Sequence, residues 1–247
     1  MTNLSVNVNK IALIRNSRKG NTPCIENFSR TCIAGGAKGI TVHPRPDLRH
    51  IRPDDLEILS NLTKEESVEF NIEGNPFEDQ SEDYPGFMRL IEDFKPTQCT
   101  LVPDSSTQLT SDHGWNILSE MSRLEPIINQ LKDWKIRVCL FLDHDIAQIE
   151  VAKNLNIDRV EIYTGPYAEA FRNNDLKTIE NYQEALIFSN EIGMDLNAGH
   201  DLSLLNIEKF INLGRIEEVS IGHALVSESL IFGAEETMNK YIKILGN

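Results

Sequence analysis

The chain has 247 residues, of which 40% are hydrophobic and 25% charged, and its formal net charge is −14 at pH 7. This length supports one large buried core, and we expect a single domain spanning residues 1–247. The acidic balance argues against nucleic acid as a partner. Because the sequence has no signal peptide and no apolar run of about 18 residues, we expect a cytoplasmic protein that does not bind membranes.

Short apolar runs rich in β-formers recur along the chain and predict strands. In chain order they cover 4–8, 39–43, 67–72, 98–102, 136–142, 159–164, 194–198 and 217–222. Apolar residues at helical spacing predict helices over 116–134, 145–155, 178–193, 204–214 and 235–245. Strands that alternate with helices pair in parallel, and eight such units predict an α/β fold, a (β/α)8 TIM barrel with additional short helices. A doubly wound open sheet is the main competitor, although neither GxGxxG nor GxxxxGK[ST] occurs.

Positive charge is concentrated in the first fifth of this acidic chain. Residues 1–52 hold nine lysines and arginines against two acids. Such an asymmetry indicates a local anion site, and a small phosphorylated metabolite is the ligand that fits it. The four cysteines lie far apart without a CxxC motif, so they predict neither disulfides nor structural zinc.

Titratable and polar residues follow the predicted strands. They are Asn7, Asn9, Lys10 and Arg18 after the first strand, His43, Arg45 and His50 after the second, Glu73 after the third, Glu161 within the sixth, His200 after the seventh, and Gly222 and His223 after the eighth. Strand ends converge at one mouth of a TIM barrel, so we expect these side chains to share a site. A histidine at a strand end is often purely structural, and Glu73 could instead cap a turn, but their joint recurrence favours the site.

Two Gly-His pairs follow the last two predicted strands, in NAGHD (197–201) and SIGHA (220–224). Loops at these positions often bind phosphate in TIM barrels, because glycine admits a close backbone approach and a helix start offers free N–H groups. The sequence has no HxH, HExxH or GxSxG motif. A metal assembled from dispersed strand ends therefore remains only a minor alternative.

The motifs together resemble those of the pyridoxine 5′-phosphate synthase family over nearly the whole chain. The matching stretches are LSVNVNKIALIRNSRKGN, GAKGITVHPRPDLRHI, EFNIEGNP, LVPD with QLTSDHGW, VEIYTGPYA, LNAGHDL and SIGHALVSESL. The resemblance implies a TIM barrel, a homo-octamer and vitamin B6 biosynthesis. It also implies condensation of 1-deoxy-D-xylulose 5-phosphate with 3-amino-2-oxopropyl phosphate, two small phosphorylated substrates, without a metal or redox cofactor.

The same resemblance implies a role for each matching residue. His43 would be a general base, Glu73 a second acid/base, His200 the proton donor and Glu161 a stabiliser of the transition state. The remaining residues would bind substrate: Arg45, His50, Thr110, Asn9 and Lys10 the deoxyxylulose phosphate, and Asn7, Arg18, Gly222 and His223 the amino-oxopropyl phosphate.

Two positions depart from the commoner family pattern. Many members have Asp-His where this chain has Asn9 and Lys10, and Gly where it has Asp201. We expect Lys10 to bind phosphate. We also expect Asp201 to contribute to binding through its backbone N–H, or to support the charged form of His200.

Two other functions are compatible with the same residues. A barrel aldolase or isomerase for another sugar phosphate would use the same cradle and acid/base set. A non-catalytic phosphate-metabolite sensor would keep the arginines and glycines, but it has no need of His43, Glu73 and Glu161 together. The long polar stretch 101–115 is the predicted lid.

Overall fold

The computed structural model describes residues 1–246, and in this part of the chain eight parallel strands close into a barrel in sequence order. They are β1 (Asn3–Asn7), β2 (Gly39–Val42), β3 (Glu69–Gly74), β4 (Gln98–Leu101), β5 (Arg137–Leu142), β6 (Arg159–Tyr163), β7 (Asp195–Gly199) and β8 (Glu218–Ile221). Each predicted strand overlaps an observed one. The predicted TIM barrel is confirmed.

Helices surround the barrel and fill the crossovers. They are α1 (Asn9–Asn16), α2 (Ile25–Ala34), α3 (Pro53–Glu65), α4 (Phe87–Phe94), α5 (Ile117–Asp133), α6 (Ile146–Asn154), α7 (Gly165–Asn173), α8 (Leu176–Glu191), α9 (Ile207–Ile211), α10 (His223–Phe232) and α11 (Ala234–Leu245). Four predicted helices match α5, α6, α8 and α11 closely, whereas α9 is much shorter than the predicted 204–214.

Both faces of the strands are buried, but they differ in chemistry. The outward residues, such as Leu4, Val6 and Ile40, join the apolar core under the helices. The inward residues are largely polar and bond to one another around the barrel: the hydroxyls of Ser5 and Thr41 lie 2.7 Å apart. This alternation follows from the two-residue period of a strand.

Charged and amide side chains fill the N-terminal end of the barrel interior. Arg137 pairs with Glu69 and donates from Nε to Oε1 of Gln98 at 2.9 Å. The opposite end, where the strands finish and the βα loops begin, holds the cavity described below. Among residues 1–246, none of the helices combines the length and the apolar character that crossing a membrane requires.

Candidate active site

A cavity of about 430 Å³ opens at the C-terminal mouth of the barrel. The predicted site residues that line it are Asn7, Asn9, Lys10, His43, Arg45, His50, Glu73, Thr110, Glu161, His200, Asp201, Gly222 and His223. These residues come from segments as far apart as β1 and α10, so closure of the barrel is what brings them together.

Arg18 is the predicted site residue that the fold leaves outside this cavity. It is exposed in the segment between α1 and α2. Within one chain, its predicted contact with substrate has no geometric support.

The end of β1 and the start of α1 are tied to the tip of β2 by two asparagines. The backbone N–H of Asn9 donates to Oδ1 of Asn7 at 3.1 Å, and Oδ1 of Asn9 accepts from the backbone N–H of His43 at 2.9 Å. Asn9 therefore holds the backbone that carries His43. The amide oxygen of Asn9 accepts this hydrogen bond, as a carboxylate oxygen of aspartate at the same position would.

His43 and Glu73 form an acid/base pair between neighbouring strands. Nδ1 of His43 lies 3.9 Å from Oε2 of Glu73, which also accepts from Nδ2 of Asn7 at 3.4 Å. Burial, reinforced by the charge of Arg45, lowers the pKa of His43 well below its usual value. Burial, reinforced by Glu161, raises the pKa of Glu73 well above its usual value. Burial thus disfavours the charged form of both groups, the imidazolium of His43 and the carboxylate of Glu73.

Arg45 links the loop after β2 to the loop after β4. Its guanidinium is buried and pairs with Asp104. Oδ2 of Asp104 also accepts from the hydroxyl of Ser111 at 2.7 Å, whereas its Oδ1 has no hydrogen-bond partner. Asp104 thus holds one side of the guanidinium against the loop, while Arg45 still lines the cavity.

His50 is held in one tautomer by the backbone. Its Nδ1 accepts from the N–H of Ile51 at 2.9 Å, so the proton of the neutral ring is on Nε2. Burial, with the charge of Arg45 as the next cause, lowers the pKa of His50 to about 3. His50 therefore enters any complex as a neutral hydrogen-bond donor.

The two ring nitrogens of His200 have different surroundings. Nε2 lies 2.9 Å from Oγ1 of Thr110, whereas the buried Nδ1 lies 3.2 Å from Oδ2 of Asp201 without forming a hydrogen bond. The interaction with His200 is the main cause that lowers the pKa of Asp201. His200 and Asp201 both adopt positive φ angles, 83° and 59°, which is costly for residues with a Cβ. The backbone is thus strained at the two residues, His200 and Asp201, whose side chains approach each other.

Glu161 is a carboxyl group in the middle of a buried strand. Its Oε2 has no hydrogen-bond partner. Burial, with the charge of Glu218 as the second cause, raises its pKa to about 8. On the next strand, Gly199 leaves room for it, because a Cβ there would collide with Oε1 of Glu161.

Gly222 lets the start of α10 approach the first strand. A Cβ at this position would lie 3.0 Å from the backbone oxygen of Asn7. The free N–H groups at the N-terminus of α10 adjoin the cavity, which Gly222, His223 and Ala224 line. This arrangement suits a phosphate group.

Some cavity residues lie outside the predicted set, notably Arg49, Ser111, Phe141 and Ser220. Arg49 lies within GAKGITVHPRPDLRHI, one of the stretches that carry the family resemblance, so the sequence could have identified it as a site residue. It donates from Nη1 to the backbone oxygen of Leu109 at 3.0 Å. In residues 1–246, no three His, Cys, Asp or Glu side chains group in a way that could hold a metal ion.

Comparison with known sequences finds close relatives over the full length. Residues 4–247 match the family described as pyridoxal phosphate biosynthesis protein PdxJ. A protein of Xanthomonas campestris pv. campestris (strain B100), named pyridoxine 5′-phosphate synthase, is 49% identical and covers 99% of this chain and 96% of its own length. A protein of the same name from Xylella fastidiosa (strain M12) is 46% identical and covers 99% and 95%.

Comparison with solved structures gives much more distant similarities. The tryptophan synthase A-subunit of Pyrococcus furiosus has a TM-score of 0.64 at 12% identity, covering 100% of this chain and 98% of its own. Thiamine phosphate pyrophosphorylase of the same organism has a TM-score of 0.61 at 10% identity, covering 99% and 95%. At such identities these similarities bear on the fold alone.

Proposed function

The chain belongs to the PdxJ family of pyridoxal phosphate biosynthesis proteins and acts as a pyridoxine 5′-phosphate synthase of vitamin B6 biosynthesis; we propose that it does so in the cavity at the barrel mouth. There it condenses 1-deoxy-D-xylulose 5-phosphate with 3-amino-2-oxopropyl phosphate and releases inorganic phosphate and water. The observation that carries this assignment is that one cavity gathers His43, Glu73, Glu161 and His200 beside several cations.

The reaction needs many proton transfers. Imine formation, phosphate elimination, water addition, ring closure and dehydration each move a proton, and a well-placed acid or base contributes about 10²- to 10⁴-fold in rate to such a step. His43, kept neutral by burial, accepts a proton from the substrate. Glu73, whose protonated form is favoured by burial, supplies or receives a proton across the same space.

His200 and Glu161 act on the other side of the cavity. His200 is the proton donor, and the Asp201 carboxylate 3.2 Å from its Nδ1 orients the ring. Glu161 stabilises negative charge that develops on a substrate oxygen, because its neutral carboxyl group can donate a hydrogen bond.

Two phosphorylated substrates bring about four negative charges into the cavity, and the chain supplies donors for each group. Arg45, His50 and Thr110, with Asn9 and Lys10, hold the deoxyxylulose phosphate. The amino-oxopropyl phosphate lies against the start of α10, where Asn7, Gly222 and His223 contact it. Arg49 joins the first group because it lines the cavity from the same segment after β2 as Arg45.

The assembly and its location follow from the family resemblance. We propose a homo-octamer in the cytoplasm. Exposed apolar side chains on α10 support self-association, since Leu230 and Ile231 are 77% and 76% exposed, and α1 presents Leu13 and Ile14 beside them. Sedimentation velocity of the wild-type chain and of a Leu230→Glu variant tests this assembly.

The direct test is to mix the purified protein with both substrates and follow the ultraviolet absorption of the pyridine product. We expect product only when both substrates are present, and a His43→Ala variant should form none while keeping a wild-type circular dichroism spectrum. Near-normal turnover by that variant rules out the role of His43. Cleavage or isomerisation of one sugar phosphate alone would indicate the aldolase or isomerase instead.

A further inference from the structure

The barrel interior contains a further buried carboxyl group, that of Glu218, which the proposed reaction does not use. Glu218 is the first residue of β8 and is only 2% exposed. Its Oε1 accepts a hydrogen bond from Nδ2 of Asn197 at 3.1 Å. Burying an ionisable carboxyl group costs free energy, so its presence beneath the cavity calls for a physical reason.

Register places Glu218 close to a catalytic group. Glu161 on β6 pairs with Asn197 on β7, and Asn197 pairs with Glu218 on β8. The three residues thus occupy adjacent positions on successive strands, about 4.8 Å apart from strand to strand. Their side chains face the barrel interior. Glu161 also lines the cavity, so Asn197 connects a cavity residue to Glu218 in the barrel interior.

The charged and titratable groups around this pair come from several strands. They are Glu69 and Glu73 on β3, Arg137 and Cys139 on β5, and Arg159 on β6. The arginines are engaged elsewhere: Arg137 pairs with Glu69, and Arg159 donates from Nη1 to Oδ1 of Asn197 at 3.2 Å.

Neither carboxyl group has a direct counter-ion, although the charges of Arg159 and Arg137 act to lower the pKa of Glu218. In residues 1–246, no ion pair within 4.0 Å joins a cation to Glu161 or Glu218. The buried Oε2 of Glu161 lacks a hydrogen-bond partner altogether. Two neighbouring carboxylates in such a place repel each other and are poorly solvated, so the arrangement favours a state in which the pair retains a proton.

We propose that Glu218 is a positioning residue that acts through its charge, keeping the proton on Glu161 so that Glu161 meets the substrate as a neutral carboxylic acid. This role rests on the proposed function of Glu161. In it, the O–H of Glu161 donates a hydrogen bond to the substrate oxygen on which negative charge develops. No bond is made or broken at Glu218.

The direction of the pKa shifts agrees with this order of ionisation. Burial, with Glu69 as the next cause, raises the pKa of Glu218 to about 7, whereas burial and Glu218 raise that of Glu161 to about 8. As pH rises, Glu218 ionises first and its charge delays the ionisation of Glu161. The pair then loses its protons in two coupled steps.

The test compares Glu218→Gln with Glu217→Gln. Gln is isosteric with Glu and can still accept from Asn197, but it has no charge. Glu217, the preceding residue, pairs with Arg215 at the protein surface, so its substitution makes the same chemical change away from the barrel interior. Infrared difference spectra of the resting protein are recorded from pH 5 to pH 10, and the neutral carboxyl band of Glu161 is identified by its loss in Glu161→Gln.

In the wild type and in Glu217→Gln, we expect the band of Glu161 to persist above pH 7. In Glu218→Gln, it should disappear at a pH lower by about one unit, and the alkaline limb of kcat should move by the same amount. If Glu218→Gln does not fold, Glu218→Leu removes the same charge and should give the same shift.

An unchanged titration of the band in the variant without the Glu218 charge overturns the proposal, as does a wild-type protein with no neutral carboxyl band at pH 7. The infrared readout does not depend on turnover. If the band shifts but no pyridine product forms, whichever substrate is added first, the proposed reaction is wrong. The coupling between the two carboxyl groups is then still supported.

Discussion

At the scale of single residues, the cavity shifts the pKa values of neighbouring side chains in opposite directions, downward for His43 and upward for Glu73. Burial disfavours the charged forms of His43 and Glu73 alike, which suits one to accept protons and the other to donate them. The guanidinium of Arg45 lies buried among them and is paired with Asp104. The distribution of charge therefore depends on the partner of each residue as much as on its type.

Arg45→Ala should weaken binding of the deoxyxylulose phosphate selectively. The loss of a charged hydrogen-bond donor costs about 1.5–3 kcal/mol, so the KM for this substrate should rise about tenfold or more, with little change in the KM for the amino ketone. Steady-state kinetics with each substrate varied in turn measures both values. Ser111→Ala, which removes the hydrogen bond from Ser111 to Asp104 and leaves Arg45 in place, is the control for an effect on the loop alone. Equal rises in both KM values would count against the assignment.

Asp201→Gly should lower kcat with little loss of stability. The substitution removes the carboxylate 3.2 Å from Nδ1 of His200, so the imidazole loses a neighbour that fixes its orientation in the cavity. It also relieves the positive φ of 59° at this position, so the free energy of unfolding should change little. Steady-state kinetics, together with urea denaturation, separates the two effects. A fall in stability without any fall in kcat would assign Asp201 a structural role only.

At the scale of elements, the C-terminal end of α1 holds the loop after β2 in place. Arg15, 1% exposed in its side chain, donates from Nη2 to Oδ2 of Asp55 at 2.8 Å and to the backbone oxygen of His50 at 3.0 Å. Asn16 donates to the same backbone oxygen at 2.8 Å. Since this loop carries Arg45 and His50, a buried ion pair outside the cavity sets the position of these two proposed phosphate-binding residues.

Asp55→Asn should therefore affect both stability and substrate binding. Removing one partner leaves the guanidinium of Arg15 buried without its counter-ion, and such a loss costs about 3–5 kcal/mol. Urea denaturation measures this cost, and the KM for the deoxyxylulose phosphate should rise as the loop loosens. Asp54→Asn is a matched control one residue earlier in the first turn of α3. Equal stability of the two variants would exclude the proposed role of the pair.

The positions of the strands could be predicted from sequence, whereas those of several helices could not. Apolar residues that recur along short segments locate all eight strands, because the outward face of each strand packs under the helices. Helices α1 to α4 and α7 lie outside the predicted set, and all of them except α3 have ten residues or fewer, which is too short for a clear apolar period. The predicted helix 204–214 is shortened because the side chain of Asn206 accepts from the N–H of Ser203 at 2.8 Å and so forms a turn before α9.

The candidate site could be predicted as far as it depends on strand ends. His43, Glu73 and His200 lie in the cavity because parallel strands of a closed barrel finish at the same mouth. Pairs that join two loops, such as Arg45 with Asp104, could not be predicted, because residue spacing along the chain does not show which loops meet. The same holds for Glu218, whose proximity to Glu161 depends on the register of β6, β7 and β8.

At the scale of the whole molecule, the buried titratable groups make stability depend on pH in two opposed ways. Glu161 and Glu218 have pKa values raised from 4.5 to about 8 and about 7, so their contribution to stability is full below pH 4.5 and is lost as pH rises through these values. The pKa of His50 is lowered from 6.5 to about 3, so its contribution is full above pH 6.5 and is lost as pH falls. Glu73 and His43 follow the same two directions.

The two effects can be separated between pH 7 and pH 8. In that interval His43 and His50 are neutral in the folded protein and mostly neutral in the unfolded chain, whereas the buried carboxyl groups lose protons only in the folded state. The folded state then binds more protons than the unfolded state, so the free energy of unfolding should fall as pH rises. Urea denaturation at both pH values measures the fall. The double variant Glu161→Gln/Glu218→Gln should flatten it, because its amides do not titrate and only Glu73 remains. A wild-type stability that stays constant or increases over this interval would mean that these carboxyl groups are already ionised inside the barrel.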